Sequence, residues 1–364
     1  MAKVNHNITQ NQYIYLIQSS MIGVGILYLG QVVTISAHQS GWISVLLAGA
    51  YPIFIVLCSS YIDKSTGHIE FFEMSIKVFG KVLTYIFTIF FLIDLLIIEV
   101  ITLSGFTNVL TLIITQYIPP KLALVIIIGL SIYIALYGLT YMGRSGEILF
   151  PLMAILLLVT LIFFSKGSLI NIKPYIDSTG GIISAIPSNF YSYAGIEMVF
   201  LITPFIINPT SVKKASLYAS IFVVLFYTFI TISVIYYFGW ELTSKTRYPL
   251  LYALRTIKIP VLTDFRAIFL FLWSIVIFKS TSILFFGISY CSTKIFHIGY
   301  KKTFLFLLPL TYFLCQPLLT ESARRAFITK VSPTLISFTV LWSIMTVAII
   351  YFKGRAQGGK IEKN

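Results

Sequence analysis

Four ionisable residues interrupt stretches of sequence that are otherwise apolar: Asp94, Glu99, Glu197 and Lys279. Charged groups at bilayer depth are rare and usually face the interior of a helix bundle. Two roles suit them. They can act as proton- or cation-coupling groups or contact a charged ligand, or they can form a buried pair that sets helix register, such as Lys279 with one of the acids. At helical spacing Asp94 and Glu99 point about 140° apart, which argues against one site using both.

A second set of residues could do chemistry through the backbone. Met21-Ile22-Gly23-Val24-Gly25-Ile26-Leu27 places two glycines one residue apart inside an apolar run. Each costs a helix about 1 kcal/mol relative to alanine. Small residues in membrane helices often permit close packing, but these two lie about 200° apart and cannot share one packing face. The alternative is an unwound stretch, tolerated in a membrane where it lines a cavity. Ser192-Tyr193-Ala194-Gly195-Ile196-Glu197, between Pro187 and Pro204, has the same small and polar character. Freed N–H groups at such breaks can hold a carboxylate, and freed carbonyls an ammonium or a cation. The candidate ligand-binding residues are therefore Ile22, Gly23, Val24, Gly25, Tyr193, Ala194 and Gly195. Thr281 joins them from the run Ser280-Thr281-Ser282. Hydroxyls in a span commonly bond to their own helix, and adjacent ones can also complete a ligand site.

The elements that carry these residues follow from composition. The chain has 364 residues, 58% hydrophobic and 10% charged, against roughly 25% charged in a soluble domain. Most of its surface must meet hydrocarbon. About 20 apolar residues make one span, which leaves room for about ten. Apolar runs place them at 10–34, 41–61, 82–108, 122–141, 147–165, 184–206, 215–238, 266–289, 303–319 and 334–352, as one transmembrane domain over 1–364. The runs are continuous rather than alternating, which excludes a β-barrel. The first and sixth spans carry the two glycine-containing stretches, in corresponding positions of two five-span halves. A modest excess of Lys and Arg on the N-terminal side favours both termini on the inner face. Tyr248–Lys258 and His68–Lys81 have apolar residues at helical spacing beside cations, which suggests short helices lying along the interface.

The net charge of +14 is spread over the loops, as membrane flanks require, and does not point to nucleic acid. Cys58, Cys291 and Cys315 are scattered and read as packing residues. The polar start and the long first apolar run do not suggest a cleavable signal core. No phosphate loop, HExxH, nucleophile elbow or His/Cys cluster is present, so neither an enzyme nor a cofactor is expected.

Taken in order, several stretches resemble the B subunits of bacterial spore germinant receptors, the endospore germination permease family of the amino acid–polyamine–organocation transporter superfamily. They are Ile8-Thr9 with Gln12, Gly23 to Leu27, Gly41-Trp42-Ile43-Ser44, Phe72-Glu73, Phe79-Gly80-Lys81, Ser192 to Glu197, and Trp273. The resemblance implies an all-α membrane protein of two inverted five-helix repeats, with broken helices 1 and 6 bounding a ligand pocket. It further implies a sensor of small nutrients, commonly amino acids, in the spore inner membrane beside A and C subunits. A proton- or sodium-coupled amino acid transporter is the alternative.

Overall fold

The computed structural model describes residues 7–113, 117–257 and 265–361. Among these residues the chain is helical throughout, with a single isolated parallel bridge between Ile8 and Ile206. Helix α1 (Gln10–Met21) starts on a capping box: Gln12 N–H donates to the Thr9 hydroxyl, and the Gln12 amide carbonyl accepts from Thr9 N–H. It stops at Met21, and the chain resumes after a short turn at Val24–Leu27 as α2 (Leu29–Ala37). His38, at φ 48° and ψ −132°, separates α2 from α3 (Gly41–Ala48). Gly49 keeps helical angles, so α3 runs on into α4 (Ala50–Thr66).

Helix α5 (Phe71–Phe79) is short and amphipathic and packs on α6 (Lys81–Ile113) and the last helix. Helices α7 (Pro120–Ala135) and α8 (Leu139–Lys166) meet at a bend of 108°. Gly138, at φ 81°, sits at that bend. The expected boundary at 141–147 therefore moves upstream, because the chain is already helical again from Leu139. Helix α9 (Thr179–Phe190) ends before the second glycine-containing stretch and α10 (Met198–Ile202) follows it. Next come α11 (Val212–Lys245), α12 (Pro249–Arg255), α13 (Phe265–Phe296), α14 (Tyr300–Cys315) and α15 (Glu321–Ile361).

Among the described residues five segments are each long and apolar enough to cross a bilayer: Leu29–Thr66, Lys81–Ile113, Pro209–Lys245, Phe265–Phe296 and Glu321–Lys353. The expected spans 10–34 and 184–206 fall on broken helices, and 122–141 with 147–165 on the bent pair. Helix α13 is buried continuously from Lys279 to Ser292 and packs against α6, α7 and α1, which puts it in the middle of the bundle. Elsewhere large apolar side chains face outward, among them Leu305, Phe306 and Phe313 of α14 and Leu341 and Phe352 of α15. An outer surface of this kind is stable in lipid and costly in water.

The segment from Tyr248 departs from expectation. It forms α12, but Pro249, Leu250, Leu251, Ala253 and Leu254 are buried. The helix packs on α2, α11, α13 and the turn at Val24–Leu27 instead of lying along the interface. Its apolar face finds more cover over the first break than a headgroup layer offers. Lys258 lies outside the described residues.

Candidate functional site

Both glycine-containing stretches are unwound. In the first, Ile22 (φ −85°, ψ 100°) ends α1 and Gly23 is extended (φ −123°, ψ −160°). The N–H groups that open the following turn, on Val24 and Gly25, have no acceptor within it, as at any helix start. In the second, Ala194 is extended (φ −58°, ψ 145°) and Gly195 takes φ 100°. The two breaks abut. A Cβ on Gly195 would stand 2.0 Å from the Ser20 carbonyl oxygen, so glycine is needed there for both its conformation and its lack of bulk.

Buried tyrosines hold the breaks open. The Tyr227 hydroxyl of α11 donates to the Met21 carbonyl at 2.9 Å. Tyr193 donates to the Val45 carbonyl at 2.8 Å, with its ring 5.5 Å from that of Tyr227. Tyr13 meets both Thr203 (2.7 Å) and Ser216 (2.8 Å). The Tyr227 bond satisfies a carbonyl that the break frees from its helix, and the other hydroxyls add bonds that pin the flanking helices.

Between the breaks lies a narrow cavity of about 30 Å³, lined by Ser20, Met21, Gly23, Val24, Gly25, Tyr28, Ile98, Ile101, Thr102, Tyr191, Ser192, Ala194, Ser280 and Arg324. That is room for roughly two water molecules. Of the candidates from sequence, Gly23, Val24, Gly25 and Ala194 line it. Ile22 turns to a second small cavity together with Lys279. Tyr193 points away to α3, and Gly195 is pressed against Ser20. Thr281 bonds to the Ile277 carbonyl and to Ser131 of α7, while its neighbour Ser280 faces the cavity.

The charged residues separate into distinct environments. Glu197 folds back on its own break: Gly195 N–H donates to Oε2 at 2.7 Å and the Tyr51 hydroxyl to Oε1 at 2.6 Å. Asp94 of α6 is buried beside Glu197 and Thr339, and among the described residues its oxygens make no hydrogen bond of good geometry. Glu99 is likewise buried, with both oxygens unpartnered among the described residues, away from the Asp94 cluster, as their helical spacing implied. Lys279 makes no ion pair among the described residues, so of the two roles open to it in the sequence the pair with an acid does not form there. Among the described residues its ammonium reaches the Tyr15 carbonyl at 3.4 Å and stands 5.9 Å from the Tyr15 ring centroid. Asp94 and Glu197 lie toward α4 and α15, whereas Lys279 looks toward α1 and α8.

Arg324 was not among the sequence candidates, because it counted as a flank cation. It is 1% exposed and lines the cavity. The signal was there in part: Glu321 precedes Arg324 and Arg325 by three and four residues, the spacing of neighbours on one helix face. What sequence could not show is that this face turns inward.

A family model described as spore germination protein matches residues 7–324. The chain belongs to this spore germination protein family. It is 23% identical to spore germination protein YndE of Bacillus subtilis (strain 168) over 360 residues, covering 97% of this chain and 98% of the relative. Spore germination protein B2 of the same organism is 26% identical over 220 residues, 59% of each chain. Among solved structures, that of MhsT in complex with L-phenylalanine superposes with a TM-score of 0.66 at 15% identity, covering 96% of both chains. The all-α membrane architecture with an inverted-repeat transporter fold, implied by the resemblance, is the fold of this family member.

Proposed function

We propose that this protein is a nutrient-sensing subunit of a spore germination receptor, and that it binds a small amino acid between the two breaks. The observation that carries the reading is the cavity itself. Two unwound segments from distant parts of the chain abut and line one polar space with Gly23, Val24, Gly25, Ser192 and Ala194. The ligand carboxylate would sit on the N–H groups of Val24 and Gly25. Its ammonium would face the freed carbonyls and the Ser20, Ser192 and Ser280 hydroxyls.

A cavity of about 30 Å³ is too small for an amino acid. Binding must therefore draw the walls apart, and ligand stabilises whichever arrangement of the bundle is wider there. Germinant receptor A and C subunits would read that change. In this scheme the chain crosses the spore inner membrane ten times, with both termini on the core side.

Gly25 supplies the test. The nearest atoms to a Cβ there are the Tyr28 hydroxyl at 3.7 Å and Ser192 at 3.9 Å, ordinary contact distances. Gly25→Ala should keep the protein at normal levels and weaken the nutrient response, and Gly25→Trp should abolish it. A full nutrient response in Gly25→Trp spores would remove the pocket.

A second reading, proton-coupled amino acid transport, is favoured by one feature: Asp94 and Glu197 are buried together, with no cation in an ion pair with either among the described residues. Such a pair is suited to sharing a proton.

A further inference from the structure

The end of the cavity nearest α15 is closed by a guanidinium. Arg324 Nε and Nη2 donate to Glu321 Oε2 and Oε1 at 2.9 and 2.6 Å. Its Cζ lies 5.1 Å from the centroid of the Tyr28 ring. Gly105 of α6 lets Nη1 approach closely, since a Cβ there would stand 3.0 Å away. Nη1 itself makes no hydrogen bond among the described residues. Glu321 is fully committed, because Oε1 also accepts from Arg325 Nε at 2.7 Å. One carboxylate thus serves two guanidinium groups, and the cluster of two cations and one anion carries a net charge of +1.

Among the described residues no carboxylate lines the cavity. Asp94 and Glu197 are not among its walls, and its other polar walls are hydroxyls and backbone. The cavity therefore has a positive end with a spare donor and no internal counter-charge.

We infer that Arg324 makes the cavity selective for amino acids with an anionic side chain. The inference rests on the amino-acid reading above: the α-carboxylate occupies the turn at Val24 and Gly25, and the side-chain carboxylate accepts from Arg324 Nη1. Nη1 opens on the cavity, so a ligand there can supply its acceptor. An ionised acceptor forms a bond about twice as strong as a neutral one. Aspartate or glutamate should accordingly bind roughly tenfold tighter than asparagine or glutamine of the same shape.

The test is a binding measurement on the purified full chain in lipid nanodiscs, with aspartate, glutamate, asparagine, glutamine and alanine. The wild-type panel is decisive without any variant that risks misfolding: a preference of about tenfold for the acids over their amides is expected. Arg324→Gln paired with Glu321→Gln, which leaves the net charge of the cluster at +1 on Arg325, outside the cavity lining, should erase that preference. Equal or tighter binding of the amides or alanine by the wild type would overturn the inference and leave the amino-acid pocket standing. Binding of none of the five would remove both.

Discussion

At the scale of single residues, the site depends on atoms that are missing as much as on those present. Gly195 shows this. Its φ of 100° and the Ser20 carbonyl 2.0 Å from any Cβ leave no room for a side chain. Gly195→Ala should cost at least about 2 kcal/mol through strain and collision, seen as a lowered melting temperature of the purified protein. An unchanged melting temperature would mean that the breaks do not abut as described. Glu197 illustrates a different lesson. In the sequence it is an intramembrane acid and a candidate coupling group. In the fold it also ties Gly195 N–H and Tyr51 to the second break, so its removal should disturb structure as well as any proton chemistry. Lys279 could not be assigned a partner from sequence, and its ammonium reaches a backbone carbonyl rather than an acid.

At the scale of elements, the breaks are legible in sequence because glycine spacing and flanking prolines act locally. What holds them is not. Tyr227 lies in the middle of an ordinary apolar run, and nothing around it marks the bond from its hydroxyl to the Met21 carbonyl. Tyr227→Phe keeps the ring packed against Tyr193 and strands that carbonyl. The expected cost is about 1–3 kcal/mol, and thermal unfolding beside the wild type measures it. A neutral effect would show that water or the neighbouring helix end replaces the hydroxyl. Helix α12 makes the same point in reverse. Its amphipathic pattern is visible in sequence, but a pattern cannot say whether its apolar face meets lipid or protein. The turn at Val24–Leu27 with its neighbouring helices decides that, by offering a surface to cover.

At the scale of the whole molecule, sensing and transport share one architecture and differ in what the bundle does after binding. The family and the fold are common to both readings. Purified protein in liposomes separates them. Sensing predicts ligand binding without flux. Transport predicts ligand-driven proton movement that Asp94→Asn eliminates while binding persists, and flux surviving that substitution would exclude Asp94 as the coupling group.

The sequence by itself determined that this chain is a helical membrane protein with interrupted first and sixth spans, because hydrophobic length and glycine placement are local quantities. It also yielded the four glycine- and alanine-centred cavity positions, Gly23, Val24, Gly25 and Ala194, since a broken helix exposes its own backbone. Only the tertiary structure decided which side chains complete the cavity. Ser280 rather than Thr281 faces it, and Arg324 reaches it from a helix that begins more than 120 residues after the second break. Helix rotation sets such choices. It is fixed by packing against several neighbours at once, and no spacing within one helix records it.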